Sequence, residues 1–351
     1  MTAPSVKLGN VMVGDDYPPV FMAEFSTYFN QDIDLAIEYI DQAIAGGAHV
    51  IKSEVLHNVD VCLKTDLEYV YNHANGKTAE NYYELVSRKV LPLSKYRTIY
   101  QHCNSLGVPF VASVYDTEGI DFLVEMGASG IKISRDSLNN YPMITYAAKT
   151  GIPIIFDAGE AYLHEVAKVI HTVKKTGNNQ VIVNYHPAKN PASGKHHNLN
   201  LVRTYKETFN IPVGFACHYS GAELLYLSIG MGVNLIEKGV DNDPLRSEQD
   251  VVSALPFSEL EYVIAKLHEC WQALDGGTVE SYENRDLSRH RCLVVKRDIA
   301  VGDELNYSNL GFAWPPLGIS VDKWDLIYGR KATQALKKNE LLTWSAIDLE
   351  S

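Results

Sequence analysis

Two short apolar segments, each ending in charged or small residues, constrain this chain more than any other feature. Gly130–Asn140 carries Lys132, Arg135 and Asp136, and Thr150–Glu160 carries Asp157 and Glu160. A helix-like stretch, Pro142–Lys149, joins them. Strand, helix and strand in that order make a parallel crossover. Polar residues at the carboxyl ends of such strands are where a closed (β/α) barrel keeps its chemistry.

The same pattern recurs on both sides. Val20–Ser26 reads as a first strand, and Ile33, Ile37, Ile40 and Ile44 follow at helical spacing up to Gly46-Gly47. His49–Val55 is a second strand, then a polar excursion over 57–81 leads to a helical stretch, Tyr83–Leu106. Pro109–Asp116, Gln180–His186, Pro212–His218 and Val233–Lys238 complete eight strands, and an amphipathic helix, Glu259–Ala273, ends the series. Eight continuous apolar strands suit a closed barrel better than an open doubly wound sheet. No Gly-x-Gly-x-x-Gly follows the first strand, which removes the usual dinucleotide signal. The expected organisation is a (β/α)8 TIM barrel over residues 1–277, a linker over 278–288, and a small C-terminal domain over 289–351. In that last part Cys292–Lys296 reads as a strand, Val301–Asp303 as a turn and Pro315–Ile319 as a rigid loop.

With 351 residues the chain has room for both parts. Its formal net charge of −12 argues against nucleic acid and anionic membrane surfaces as partners. No apolar run approaches the roughly 20 residues of a membrane span, and the first residues show no signal-peptide core, so a cytoplasmic location is expected. Five scattered cysteines without a Cys-x-x-Cys read as buried free thiols.

The runs Lys132–Asn140, Ala148–Ile155, Ile236–Lys238, Val294–Leu305 and Gly318–Ser320, in this order and at these separations, resemble the sialic acid synthase family over nearly the whole chain. The resemblance implies a TIM barrel followed by an antifreeze-like (SAF) domain. It also implies condensation of phosphoenolpyruvate with an open-chain N-acyl amino sugar, giving a nonulosonic-type sugar acid, with a divalent metal (Mn2+ or Mg2+) polarising the aldehyde. A homodimer in which the SAF domain covers the neighbouring barrel is implied as well. Carried over residue by residue, Lys52 and Lys132 hold the donor, Glu24 lies near the sugar, and Glu237 is the acid of the eighth strand. Ser113, Asp116, Arg135, Asp157 and Trp314 are substrate-binding positions, and His218 is the seventh-strand metal ligand.

At the sixth strand a gapless match puts Tyr185 in the second metal-histidine position, as a substrate-side group, whereas a shift of one residue puts His186 there as a metal ligand. Side chains alternate along a strand, so that one residue decides which of them points inward. Asp157 replaces a hydroxyl in the family's anion site. A carboxylate about 4 Å from a phosphate oxygen costs about 4 kcal/mol at an effective dielectric near 20. Three resolutions follow: Arg135 neutralises Asp157, Asp157 coordinates a metal with His218, or the site no longer takes phosphoenolpyruvate. Alternatives to the synthase are a barrel aldolase or lyase with another donor, and a catalytically silent sugar-acid-binding protein.

Overall fold

The computed structural model describes residues 4–274 and 288–349, and the chain divides into two units, Met1–Gly276 and Gly277–Ser351. The expected linker over 278–288 lies outside the described residues except for Ser288.

The chain opens with an antiparallel hairpin, β1 (Ser5–Leu8) and β2 (Val11–Gly14). Next come β3 (Val20–Ser26), α1 (Ile33–Ala45) and β4 (Val50–Val55). A second hairpin, β5 (Glu68–His73) and β6 (Gly76–Asn81), leads to α2 (Tyr82–Ser87) and α3 (Leu93–Leu106). Then follow β7 (Phe110–Val114), α4 (Thr117–Met126), β8 (Gly130–Ile133), α5 (Tyr141–Lys149), β9 (Ile154–Asp157) and α6 (Leu163–Lys174). The series ends with β10 (Val181–Tyr185), α7 (Asn200–Phe209), β11 (Val213–Cys217), α8 (Glu223–Gly230), β12 (Leu235–Asp241), the short β13 (Leu255–Pro256) and α9 (Phe257–Leu274). Strands β3, β4, β7, β8, β9, β10, β11 and β12 pair in parallel, and β12 returns to β3 to close the barrel.

Local chemistry sets the ends of the helices. Asp32 accepts from Leu35 N (3.1 Å) at the start of α1, and Asn140 from Met143 N (3.2 Å) at the start of α5; each satisfies an N–H that the helix itself leaves free. Gly107 and Gly127 end α3 and α4 in the left-handed conformation. The single helix expected over Tyr83–Leu106 is two helices, because Pro92 sits at the start of α3 and cannot continue a preceding one.

The barrel interior has two halves. At its amino-terminal end Met22, Val50, Val111, Ile155, Ile182 and Leu235 form an apolar cluster with Val6, Leu8 and Val13 of the first hairpin, which plugs that end. Two residues further along most strands the inward side chains turn polar: Glu24, Lys52, Ser113, Lys132, Asp157, Asn184 and Glu237 are all buried. The period of two that builds the apolar floor therefore also builds the polar ring above it. Gly214 on β11 makes room for this ring, since a Cβ there would collide with the Asn184 side chain.

The polar excursion over 57–81 contains the β5–β6 hairpin. Asn72 Nδ2 donates to Asn190 O (2.9 Å), and Asn75 Nδ2 donates to Leu245 O (3.2 Å). Arg88, just past α2, pairs with Glu248 at 2.9 Å. These bonds tie the hairpin and α2 to loops after β10 and β12. The C-terminal unit has its own core around Leu293, Val295, Leu305, Leu310, Ile327 and Leu342, with β14 (Cys292–Val295) antiparallel to β15 (Leu310–Ala313). Among the described residues no helix is long and apolar enough to cross a membrane.

Candidate active site at the barrel mouth

A cavity of about 510 Å³ opens at the carboxyl ends of the strands. Its lining brings together Glu24, Lys52, Ser113, Lys132, Arg135, Asp157, His186, His218 and Glu237 of the residues singled out in the sequence.

The two lysines lie at the base among carboxylates. Lys52 Nζ is 3.0 Å from Glu24 Oε1, 3.6 Å from Glu54 Oε1 and 3.7 Å from Glu237 Oε1. Lys132 Nζ is 3.0 Å from Asp157 Oδ2 and also bonds Glu237 Oε1, whose other oxygen accepts from Asn184 Nδ2 at 2.9 Å. Tyr28 donates to Glu24 Oε2 at 2.9 Å, and Tyr115 donates to Glu54 Oε2 at 2.6 Å. Two ammonium groups thus face four carboxylates, three of them buried and Glu54 partly so.

Burial and pairing divide these acids. Burial raises Glu24 above the usual carboxylate range in spite of Lys52. Burial likewise lifts Asp157 to about 6, although Lys132 pulls the other way. For Glu237 burial also pushes upward, but Lys132 and Lys52 outweigh it and hold the group below the usual range. Glu54 is held low against its burial by Lys52 and Tyr115. Burial opposes the charge on Lys52, and the surrounding glutamates more than restore it, so this ammonium is held well above the ordinary lysine range.

Three sequence expectations are corrected. Asn184 points into the barrel, so Tyr185 points out: its ring stacks on Phe215 (5.8 Å between centroids) and its hydroxyl accepts from Asn198 N at 2.6 Å. His186 then faces inward again and lies 4.6 Å, ring centre to ring centre, from His218. Asp116 does not line the cavity; it caps α4 by accepting from Gly119 N (2.8 Å) and bonds His57. Arg135 does not neutralise Asp157. Its guanidinium donates to Asp136 Oδ1 (3.0 Å) and Ala188 O (2.8 Å), and Lys132 is the partner of Asp157. Trp314 lies in the C-terminal unit, 61% exposed, with Arg291 over its ring at 3.8 Å and its indole N–H donating to Arg289 O.

Sequence reading missed Glu54, Asn184, Tyr28 and Tyr115. The first two were accessible in principle: Glu54 follows Lys52 by two residues and Asn184 precedes His186 by two, so each shares an inward face with a residue already singled out.

The divalent metal implied by the resemblance does not fit the donors present. Among the described residues no group of three or more His, Cys, Asp or Glu side chains is placed to hold a metal ion. His186 Nδ1 accepts the Ala188 N–H at 2.9 Å, so its lone pair is in use. Cys217, on the outward face of β11, lies 4.0 Å from Lys238 Nζ. Both Glu237 oxygens are bonded, and Asp157 keeps only Oδ1 open. Burial lowers His218 to about 3 and drives His186 well below the usual histidine range, so both rings are neutral.

Comparison with known proteins places this site in a family. The model described as NeuB family matches residues 39–279, and the SAF domain model matches residues 290–348. The N,N'-diacetyllegionaminic acid synthase of Legionella pneumophila is 27% identical over 335 residues, 93% of this chain and 94% of that protein. A pseudaminic acid synthase of Campylobacter jejuni is 23% identical over 339 residues, 96% of this chain and 98% of that one. Among solved structures, the N-acetylneuraminic acid synthetase of Leptospira borgpetersenii superposes with a TM-score of 0.72 at 21% identity, covering 80% of this chain and 93% of that one.

Proposed function

The chain belongs to the NeuB family, and from that premise we propose that it condenses phosphoenolpyruvate with the open-chain aldehyde of an N-acyl amino sugar. The enzyme class follows from its relatives, which are sugar-acid synthases. The donor and acceptor are this proposal's content.

One observation carries it: two buried ammonium groups stand at the base of an open cavity at the carboxyl ends of barrel strands. Each is already paired, yet the space beside them is free. An incoming phosphate and carboxylate exchange with the resident carboxylates for Lys52 and Lys132. Arg135 and Lys189, further up the wall, add positive charge where a dianion enters.

The chemistry then balances as follows. Carbon 3 of the donor attacks the aldehyde carbon, and the aldehyde oxygen takes a proton. Water adds to carbon 2 and gives up a proton, and the hemiketal expels inorganic phosphate. Glu24, whose proton affinity is raised by burial, is suited to take the proton of that water, with Lys52 and Tyr28 fixing its oxygens. Lys52 and Lys132 stabilise the leaving phosphate.

Phosphate release measured with phosphoenolpyruvate and a panel of N-acyl hexosamines tests the proposal. Release with none of them, together with no heat of donor binding in calorimetry, refutes it. The excess of carboxylates over ammonium groups favours a second reading, a barrel aldolase with a non-phosphorylated donor; pyruvate replacing phosphoenolpyruvate in the same titration identifies it. A homodimer in which one subunit's SAF domain covers the other's barrel and brings Trp314 to it, and a cytoplasmic location, belong to the same proposal. Light scattering of the purified chain tests the dimer.

A further inference from the structure

We infer that this barrel activates its carbonyl substrate without a divalent cation, the N–H at His186 Nε2 polarising the aldehyde oxygen. The inference rests on the proposed condensation only for what is activated. That the donors form no cation site stands on geometry alone.

The tautomer decides the matter. A neutral imidazole has one proton and one lone pair. In His186 the lone pair is at Nδ1, because Nδ1 receives the backbone N–H of Ala188, which sits at φ 58° and so turns that N–H back onto the ring. Gly159 closes the same side of the ring: a Cβ added there would lie 3.1 Å from Nδ1. A cation cannot reach that nitrogen, and the proton is left at Nε2, on a ring that lines the cavity. A histidine that binds a metal through Nε2 needs the opposite arrangement, with Nδ1 donating its N–H to an acceptor.

The rest of the donor set agrees. His218 Nδ1 and Asp157 Oδ1 are buried and unpartnered, two isolated donors where Mn2+ or Mg2+ calls for about six ligands. Lys132 lies against Asp157 and opposes positive charge at both histidines; at His218 Glu237 acts the other way and more strongly, but both its oxygens are already bonded, to Lys132 and Asn184, and are not free for a cation.

The test uses the full chain. Nitrogen-15 spectra of histidine-labelled protein report the tautomer, and Mn2+ titration followed by the loss of the free-ion electron paramagnetic signal reports the site. The expected results are a proton at His186 Nε2, no stoichiometric Mn2+ site, and phosphate release that survives prolonged chelation. His186→Leu should lower kcat about 100-fold with little change in donor KM, as loss of one oxyanion donor does. His186→Gln, which keeps an N–H near Nε2, should recover most of that. Stoichiometric Mn2+ binding that His218→Asn removes, or activity that chelation abolishes and Mn2+ restores, overturns the inference. If no condition releases phosphate, the proposed condensation falls, while the Mn2+ titration and the tautomer still decide the cation question.

Discussion

Replacing Asp157 by Asn isolates the main electrostatic obstacle to donor binding. Asp157 Oδ2 lies 3.0 Å from the ammonium of Lys132, so an anion held by that ammonium comes within about 4 Å of the carboxylate. At an effective dielectric near 20 the repulsion is about 4 kcal/mol, which raises the proton affinity of the carboxyl roughly a thousandfold once the anion is bound. In the free protein the group is held at about 6 by burial. Between about pH 6 and pH 9 donor binding therefore takes up close to one proton, and affinity falls about tenfold for each pH unit gained. Asparagine mimics the protonated acid. Asp157→Asn should bind phosphoenolpyruvate about 100-fold more tightly than the parent near pH 8 and almost equally near pH 5, with no proton uptake. Calorimetry in two buffers of different ionisation enthalpy reads the proton count directly. A binding enthalpy independent of buffer in the parent refutes the reasoning.

The same group makes an independent statement about stability. Its folded-state pKa is raised, so its contribution is most favourable in acid and is lost as pH rises towards 6. An ordinary aspartate titrates near ~4, so the loss is about 3 kcal/mol. Burial outweighs the attraction of Lys132 here, and Lys132 keeps Glu237 when Asp157 is neutralised. Without donor, Asp157→Asn should accordingly melt higher than the parent above about pH 6 and show little gain near pH 4.

The remaining predictions concern single groups. Lys52→Met leaves Glu24, Glu54 and Glu237 without their shared cation and should cost about 3–5 kcal/mol in denaturant unfolding, less in acid; an unchanged midpoint contradicts the pairing. Tyr185→Phe removes only the bond from Asn198 N, so it should cost about 1 kcal/mol and leave kcat intact; a tenfold fall in kcat would put Tyr185 in the site after all. Asp116→Ala should cost about 1 kcal/mol through the lost cap of α4 with donor affinity unchanged in calorimetry. Leu8→Ala, in the plug at the far end of the barrel, should cost about 3 kcal/mol and leave donor affinity unchanged.

Eight buried strands were legible in the sequence because continuous apolar runs and Gly or Pro punctuation are local signals, whereas the helices after the sixth and seventh strands were not placed. The β1–β2 plug was not, because strands of only four residues carry little pattern of their own; their apolar residues make sense only against the barrel floor. The β5–β6 hairpin was hidden for a related reason. Its strands, Glu68–His73 and Gly76–Asn81, are largely polar and are held by loops distant in sequence, Asn190 and Leu245 among them. At the site, Lys132 and Asp157 stood out from strand ends, whereas Lys52 and Glu237 were reached through the family resemblance. Tyr185 was misplaced because the alternation of β10 was undecided until Asn184 was seen to face Glu237. Asp116 was misread because a carboxylate after a strand serves a helix cap as readily as a substrate.

Four acids around two lysines need a reason to persist, and the cavity supplies one. Without Glu24, Glu54, Asp157 and Glu237 the two ammonium groups would be buried unpaired, which is more costly than the pairs themselves. The carboxylates therefore stand in for the donor, holding each ammonium in position until a stronger anion arrives. Exchange is then uneven across the ring. Glu237 and Glu54 are held ionised by the lysines and stay with them, whereas Asp157, raised by burial, is the one that accepts a proton as negative charge enters. The barrel can take an anion into an acidic mouth because one of its acids, Asp157, is poised to stop being an anion when one binds, and the proton count of donor binding measures that directly.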